Sequence, residues 1–350
     1  MSENGNLFAQ QEANRRRSRR LVIGFILFFA WLGFGGDFIF YEYTKGAGPG
    51  AYHHVVPFFG IILTIIAASM AWWAWTTGPK RVLWSTGARE LTDPETPQEK
   101  QLDNVVEEMA VASGLPKPKI WIIPDADPNA LATGHDANTS SVAVTQGLLD
   151  LCSRDELQAV VAHEMGHIKN LDVRLMTQLA ALVGAITLIG DGVGRMFFYG
   201  GNPLGGMGGG RRSSGGDRDD RGGGSGVLII VLLVLWIVSW ILAPIIMRLM
   251  ALGVSRDREY LADAMSAQFT RNPLSLATAL GKIEDADAPT KSIKGGAAQM
   301  CIADPTGRHL NSKEGKVAEL FGTHPPMALR IARLKAMGYQ AQPAAIPGSR

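Results

Sequence analysis

His163, Glu164 and His167 stand in the order His-Glu-x-x-His within "AVVAHEMGHIKNLD" (159–172), and their spacing suits them for chemistry. On a helix, positions four apart share a face, so both imidazoles can hold one ion. Glu164 is angled toward the same region, where it can take a proton from an attacking water and hand it to a leaving amine. Zinc would supply a Lewis acid there and lower the pKa of water, which is the chemistry of peptide-bond hydrolysis. The plainer alternative is two unrelated surface histidines.

A catalytic zinc takes a third protein ligand and keeps one position open. Of the other histidines, His53 and His54 fall on the far side of the predicted membrane. Glu259 in "REYLAD" is the better third ligand, because a membrane hairpin would return the chain beside the motif helix. Asp263 lies one turn beyond Glu259 on the same face, suited to accept the second N–H of a zinc-bound histidine. The competing reading of Glu259 and Asp263 is a solvated face balanced by Arg256 and Arg258.

The elements that must position these groups include long apolar runs. Residues of the AVILMFWYC set make up 46% of the chain, and the excess is concentrated in four segments. Leu21–Phe40, Val55–Trp75 and Val227–Leu252 have the length of a membrane span. Leu179–Phe198 contains Asp191 and Arg195 and reads as a span or a buried re-entrant helix. We expect four transmembrane helices. Arg15, Arg16, Arg17, Arg19 and Arg20 precede the first span, and Lys80, Arg81 and Arg89 follow the second, so both termini and the motif helix should face the cytoplasm. A net charge of +2 gives no surface for a large polyanion, so no nucleic-acid partner is expected. Cys152 and Cys301 read as buried free thiols.

These signals divide the chain into a basic N-terminus with two spans (1–78), a protease part with the motif helix (79–177), a second hairpin (178–252) with a Gly-rich loop (199–226), a further protease part (253–340) and a flexible tail (341–350). The expected fold is an α-helical membrane protein with a mainly helical α+β, zincin-like cytoplasmic domain. Within it, "ETPQEKQLDNVVEEMAVASGLP" (95–116) gives a helix ending near Gly114. Ser153 and Glu156 have the capping-box spacing that opens the motif helix. Ile120–Ile123 and Ser141–Thr145 read as strands. Residues Ser141, Val142, Ala143, Val144 and Thr145 alternate as an edge strand would, and an extended peptide could add to them by backbone hydrogen bonds.

With these residues in place, the chain closely resembles the HtpX family of membrane-bound zinc endopeptidases, related to the CAAX-processing Ste24 proteases. "HEMGHIKNLD" is similar to the family's zinc helix, and "SRDREYLADAMSA" to the segment that supplies its glutamate ligand; "PNALATG", "SVAVTQGLL" and "THPPMALRI" match around them. The resemblance implies one Zn2+ per chain, held by His163, His167 and Glu259, with Glu164 as acid/base and Asp263 supporting. It also implies that His324 and Arg330 stabilise the tetrahedral oxyanion and that Asn129 lines the cleft. The implied task is hydrolysis of misfolded or damaged membrane proteins, as stress-linked quality control in the bacterial inner membrane, with the active site toward the cytoplasm. The partners are then the lipid bilayer and unfolded membrane-protein substrates; the oligomeric state is left open. Two rivals share some features: a CAAX prenyl endopeptidase, and a non-catalytic adaptor stapled by zinc. Four spans are few for the first, and Glu164 has no purpose in the second.

Overall fold

The computed structural model describes residues 7–46, 48, 50–182, 230–239, 257–286, 291–293, 297, 300–303 and 325–341. They divide into two compact units: the described parts of 1–21, 74–181 and 250–350 form one, and those of 22–73 and 182–249 the other.

The second unit is built on α1 (Leu7–Thr44) and α2 (Phe58–Ser85), each of which begins or ends in the first unit. Both are long and apolar enough to cross a membrane, and only 28% and 22% of their most apolar windows is buried. Ile23, Leu27, Ile62, Ile65 and Trp72 point outward, the reverse of a soluble core helix. The helices approach closely at Gly33, where a Cβ would stand 2.6 Å from the Phe59 carbonyl oxygen. Asp37 accepts hydrogen bonds from the N–H groups of Phe59 (3.1 Å) and Gly60 (2.6 Å), which the first turn of α2 cannot satisfy internally. The expected third and fourth spans lie mostly outside the described residues; within them, 172–182 (α6) and Ile230–Ser239 (α7) are helical.

The first unit centres on a four-stranded sheet of β1 (Arg89–Glu90), β2 (Lys119–Ile123), β3 (Ala130–Thr133) and β4 (Ser141–Thr145), in the order β1-β2-β4-β3. β4 runs parallel to β2 and antiparallel to β3. Alternate residues therefore enter two cores. Ile120, Ile122, Val142 and Val144 face α3 (Pro97–Ser113), α5 (Arg154–Lys169) and α9 (Pro273–Glu284). Trp121, Ile123, Leu131 and Ala143 face Val82, Leu83, Met176 and Cys301. A short α4 (Gln146–Leu151) links β4 to α5, and α8 (Asp257–Thr270) and α10 (Met327–Ala341) complete the unit.

This topology corrects one expectation. Ser141–Thr145 is a strand, but it is interior to the sheet, with both ladders occupied and all five residues buried. Its alternation came from two buried faces, not from one wet face. The edge strand beside it is β3, whose "ALAT" run gives no periodic signal. Along that edge lies the segment around Cys301, joined by an antiparallel bridge to Leu131 and by the Ile302 N–H to the Ala130 carbonyl (2.9 Å).

The helix signals were local and hold. Thr96 and Glu99 cap α3 reciprocally, and Gly114 ends it at φ 70°, a left-handed conformation that glycine adopts without strain. Ser153 and Glu156 form the capping box of α5, and Glu156 also takes Lys282 of α9 at 2.7 Å.

Candidate metal centre

α5 carries His163, Glu164 and His167 on its buried face, packed against α8. The two helices meet where Gly166 faces Ala262; a Cβ on Gly166 would stand 3.2 Å from the Ala262 Cα. Ser266 fixes the register by donating to the Ala159 carbonyl at 2.7 Å. That close approach brings Glu259 and Asp263 onto the histidines.

Donor atoms of three residues converge. His163 Nε2 and His167 Nε2 are 3.2 Å apart, Glu259 Oε2 is 3.7 Å from the first and Glu259 Oε1 3.6 Å from the second. Ligands on a tetrahedral zinc with bonds of about 2.0–2.2 Å stand roughly 3.3–3.6 Å from one another. The two-histidine, one-carboxylate set therefore fits zinc in both chemistry and spacing.

Each histidine is held from behind. His163 Nδ1 lies 3.0 Å from Asp263 Oδ1, somewhat out of line with its N–H, and His167 Nδ1 lies 3.2 Å from Asp172 Oδ2. A carboxylate on Nδ1 fixes the tautomer and leaves the Nε2 lone pair toward the common point. Asp263 is held in turn by a two-pronged pair with Arg330, Nε to Oδ2 at 3.0 Å and Nη2 to Oδ1 at 2.7 Å. Arg330 is fully buried, donates to the Ile302 carbonyl at 2.9 Å and comes within 3.4 Å of Glu259 Oε2.

The electrostatics follow from this arrangement. Burial lowers the pKa of His163. Burial also opposes charge on His167, but Asp172, Glu259 and Glu164 outweigh it and raise that imidazole to about 9. The field that would hold a proton there equally favours a divalent cation. Burial opposes ionisation of Asp263, yet Arg330 and His163 hold it down at about 2. Glu164 is 1% exposed, and its oxygens meet no hydrogen bond of ordinary geometry, the Ala132 backbone only weakly favouring charge. Burial, reinforced by Glu259, lifts it to about 7. Glu164, His167, Glu259, Asp172 and Arg258 border a cavity of about 20 Å³, room for about one water.

The structure thus assembles His163, Glu164, His167, Glu259, Asp263 and Arg330. His324 lies outside the described residues. Asn129 is fully buried: its Nδ2 donates to the Ala303 carbonyl at 3.0 Å and its Oδ1 accepts from Ala130 N at 3.1 Å, so it clamps the 300–303 segment to the sheet. Ser141–Thr145 supports β3 from behind. Sequence reasoning missed Asp172. Its signal was a helix C-cap, Asn170, followed by Leu171 at φ 59°, a left-handed turn that aims the next residue back at α5.

Comparison with known proteins identifies the family. The model of peptidase family M48 matches residues 96–338. A protease HtpX homolog from Streptococcus gordonii is 36% identical over 338 residues, covering 95% of this chain and all of the relative. One from Listeria monocytogenes serotype 4b is 39% identical over 332 residues, with the same coverages of 95% and 100%. One from Dictyoglomus turgidum is 40% identical over 278 residues, 79% of this chain and 82% of the relative. The crystal structure of S. mikatae Ste24p matches with a TM-score of 0.44 at 18% identity, over 94% of this chain and 66% of that one, too distant to build on.

Proposed function

The chain belongs to peptidase family M48 and is a membrane-bound metalloendopeptidase; we propose that one zinc ion per chain, held by His163, His167 and Glu259, serves it in cutting misfolded or damaged membrane proteins. The observation that carries this is the convergence of donor atoms from three residues at 3.2–3.7 Å beside the buried Glu164 carboxylate.

Zinc, when bound, supplies a Lewis acid for the scissile carbonyl and lowers the pKa of water. Asp263 and Asp172 keep the two Nε2 lone pairs aimed. Glu164 takes the proton of the attacking water and delivers it to the leaving amine; its dry surroundings suit a base that must change protonation near neutral pH. Arg330 steadies Asp263 and Glu259 and, with His324, serves the oxyanion. An extended substrate adds to β3, the strand whose edge borders the site, so the 300–303 segment must first leave that edge. Peptide-bond recognition through backbone groups tolerates varied side chains, as unfolded substrates require.

The enzyme spans a bacterial inner membrane four times, with this site on the cytoplasmic side; the arginines in the first turns of α1, ahead of its apolar run, and the length of α1 and α2 support that reading. The test is cleavage of an unfolded membrane-protein substrate by detergent-purified enzyme. Wild type should hold about one zinc and cut; Glu164→Gln should hold the zinc and not cut. Substrate cut only from the cytoplasmic side of sealed vesicles would support the orientation, and cleavage only from the opposite side would reject it.

A further inference from the structure

The first residues of α1 precede its apolar run, and their arginines set topology. The same stretch also reaches the metal centre. Gln11, Asn14 and Ser18 are spaced three and four apart, so they share one face of the helix. Asn14 and Ser18 are 4% and 1% exposed despite lying among arginines. Gln11 Nε2 donates to the Lys169 carbonyl at 2.6 Å, and Asn14 Nδ2 donates to the Asn170 carbonyl at 3.0 Å. These are carbonyls at the C-terminal end of α5, where the helix supplies no partner of its own. Ser18 Oγ donates to Gln178 on α6.

Asn14 does more than dock. Its Nδ2 also stands 2.6 Å from Asp172 Oδ1, while Asp172 Oδ2 is the oxygen facing His167 Nδ1. An amide NH2 has two hydrogens, and here both have acceptors, one a helix-end carbonyl and one a carboxylate. The amide orientation is therefore fixed: turned over, its oxygen would face two acceptors. One carboxylate oxygen is pinned by Asn14, which sets the direction of the other.

We infer that Asn14 is a positioning residue of the metal centre, fixing the carboxylate of Asp172 and through it the ring of His167. The membrane anchor is then part of the site's construction and not only a tether. This rests on the reading of His163, His167 and Glu259 as the zinc ligands. Loss of a partner behind a ligand commonly weakens metal binding by about 10–100-fold, and Asn14 stands one bond further back, so the lower end, about 10-fold, is expected.

The test is zinc affinity of the full-length protein in detergent, measured by competition with a chromophoric chelator, together with the visible spectrum of the cobalt-loaded form. Asn14→Leu, close in size but unable to donate, should weaken zinc about 10-fold and shift the cobalt bands. Gln11→Ala removes a neighbouring docking bond without touching Asp172, and should lower thermal stability while leaving zinc affinity and the cobalt spectrum unchanged. Asn14→Asp places a like charge beside Asp172 and should also weaken zinc; it serves if Asn14→Leu does not fold. Unchanged zinc affinity in the folded Asn14 variants would overturn the inference, as would equal weakening by Gln11→Ala, which would make the contact mere docking. Wild-type protein that binds no zinc would overturn the reading of the centre itself.

Discussion

His54 between the two long apolar helices and His167 in the protease unit are both steadied by a carboxylate, yet their surroundings lead to opposite outcomes. Asp37 Oδ1 stands 2.7 Å from His54 Nε2, and the other ring nitrogen, Nδ1, meets the Tyr52 hydroxyl at 2.9 Å. Both nitrogens are used, and Asp37 is also occupied with the start of α2. At His167 the carboxylate takes Nδ1 and leaves Nε2 directed at His163 and Glu259. A histidine–carboxylate pair is thus no metal signature by itself. What decides is whether the second nitrogen points at other donors or at a terminal partner.

The comparison can be broken most directly at the ligands. His167→Ala should abolish proteolysis and bring zinc well below one per chain, whereas His54→Ala should leave zinc content unchanged. Metal analysis of the two purified variants decides it, and zinc lost from His54→Ala would refute the distinction. Next in size is Glu164→Gln, expected to lower kcat by about 10²–10⁴-fold with zinc retained, since it removes proton transfer and not a ligand. Asp37→Ala should cost about 1–3 kcal/mol of stability by orphaning buried N–H groups. Its thermal unfolding in detergent should shift while zinc affinity does not.

The smallest effect sharpens the contrast from outside both clusters. Glu99 is held at about 2, below its ordinary 4.5, by the N–H of Thr96, then by Arg89 and the N–H of Glu95. A depressed carboxylate stabilises the fold fully above its ordinary value and loses that contribution as pH falls through the folded value. Glu99→Gln should therefore unfold at lower temperature than wild type at pH 7, and the difference should close between about pH 5 and pH 2. A difference that stayed constant over that range would show that the charge contributes nothing.

Legibility followed the range of the interactions. The capping box of α5 rests on residues three apart and could be read directly, as could the glycine that ends α3. So could the pairing of His163 with His167, a matter of helical pitch. Glu259 was within reach only through a topological expectation, that apolar segments return the chain to the same side. The edge strand was misassigned because a strand covered on both faces and one with a single wet face can share the pattern Ser-Val-Ala-Val-Thr. "ALAT" offered no pattern at all, since its four residues, three of them small, are all buried.

The sequence alone determined the reaction class: a capped helix with two histidines and a glutamate at fixed pitch, beside segments long enough to span a lipid bilayer. Those features depend on neighbours within one or two helical turns or on uninterrupted apolar length. Only the tertiary structure decided what stands behind the ligands. Asp172 turns inward because Leu171 adopts a left-handed conformation, Arg330 reaches Asp263 from the last helix, and Asn14 reaches Asp172 from the first. Each of these contacts depends on how helices pack, and helix packing is settled by surfaces that no local spacing encodes.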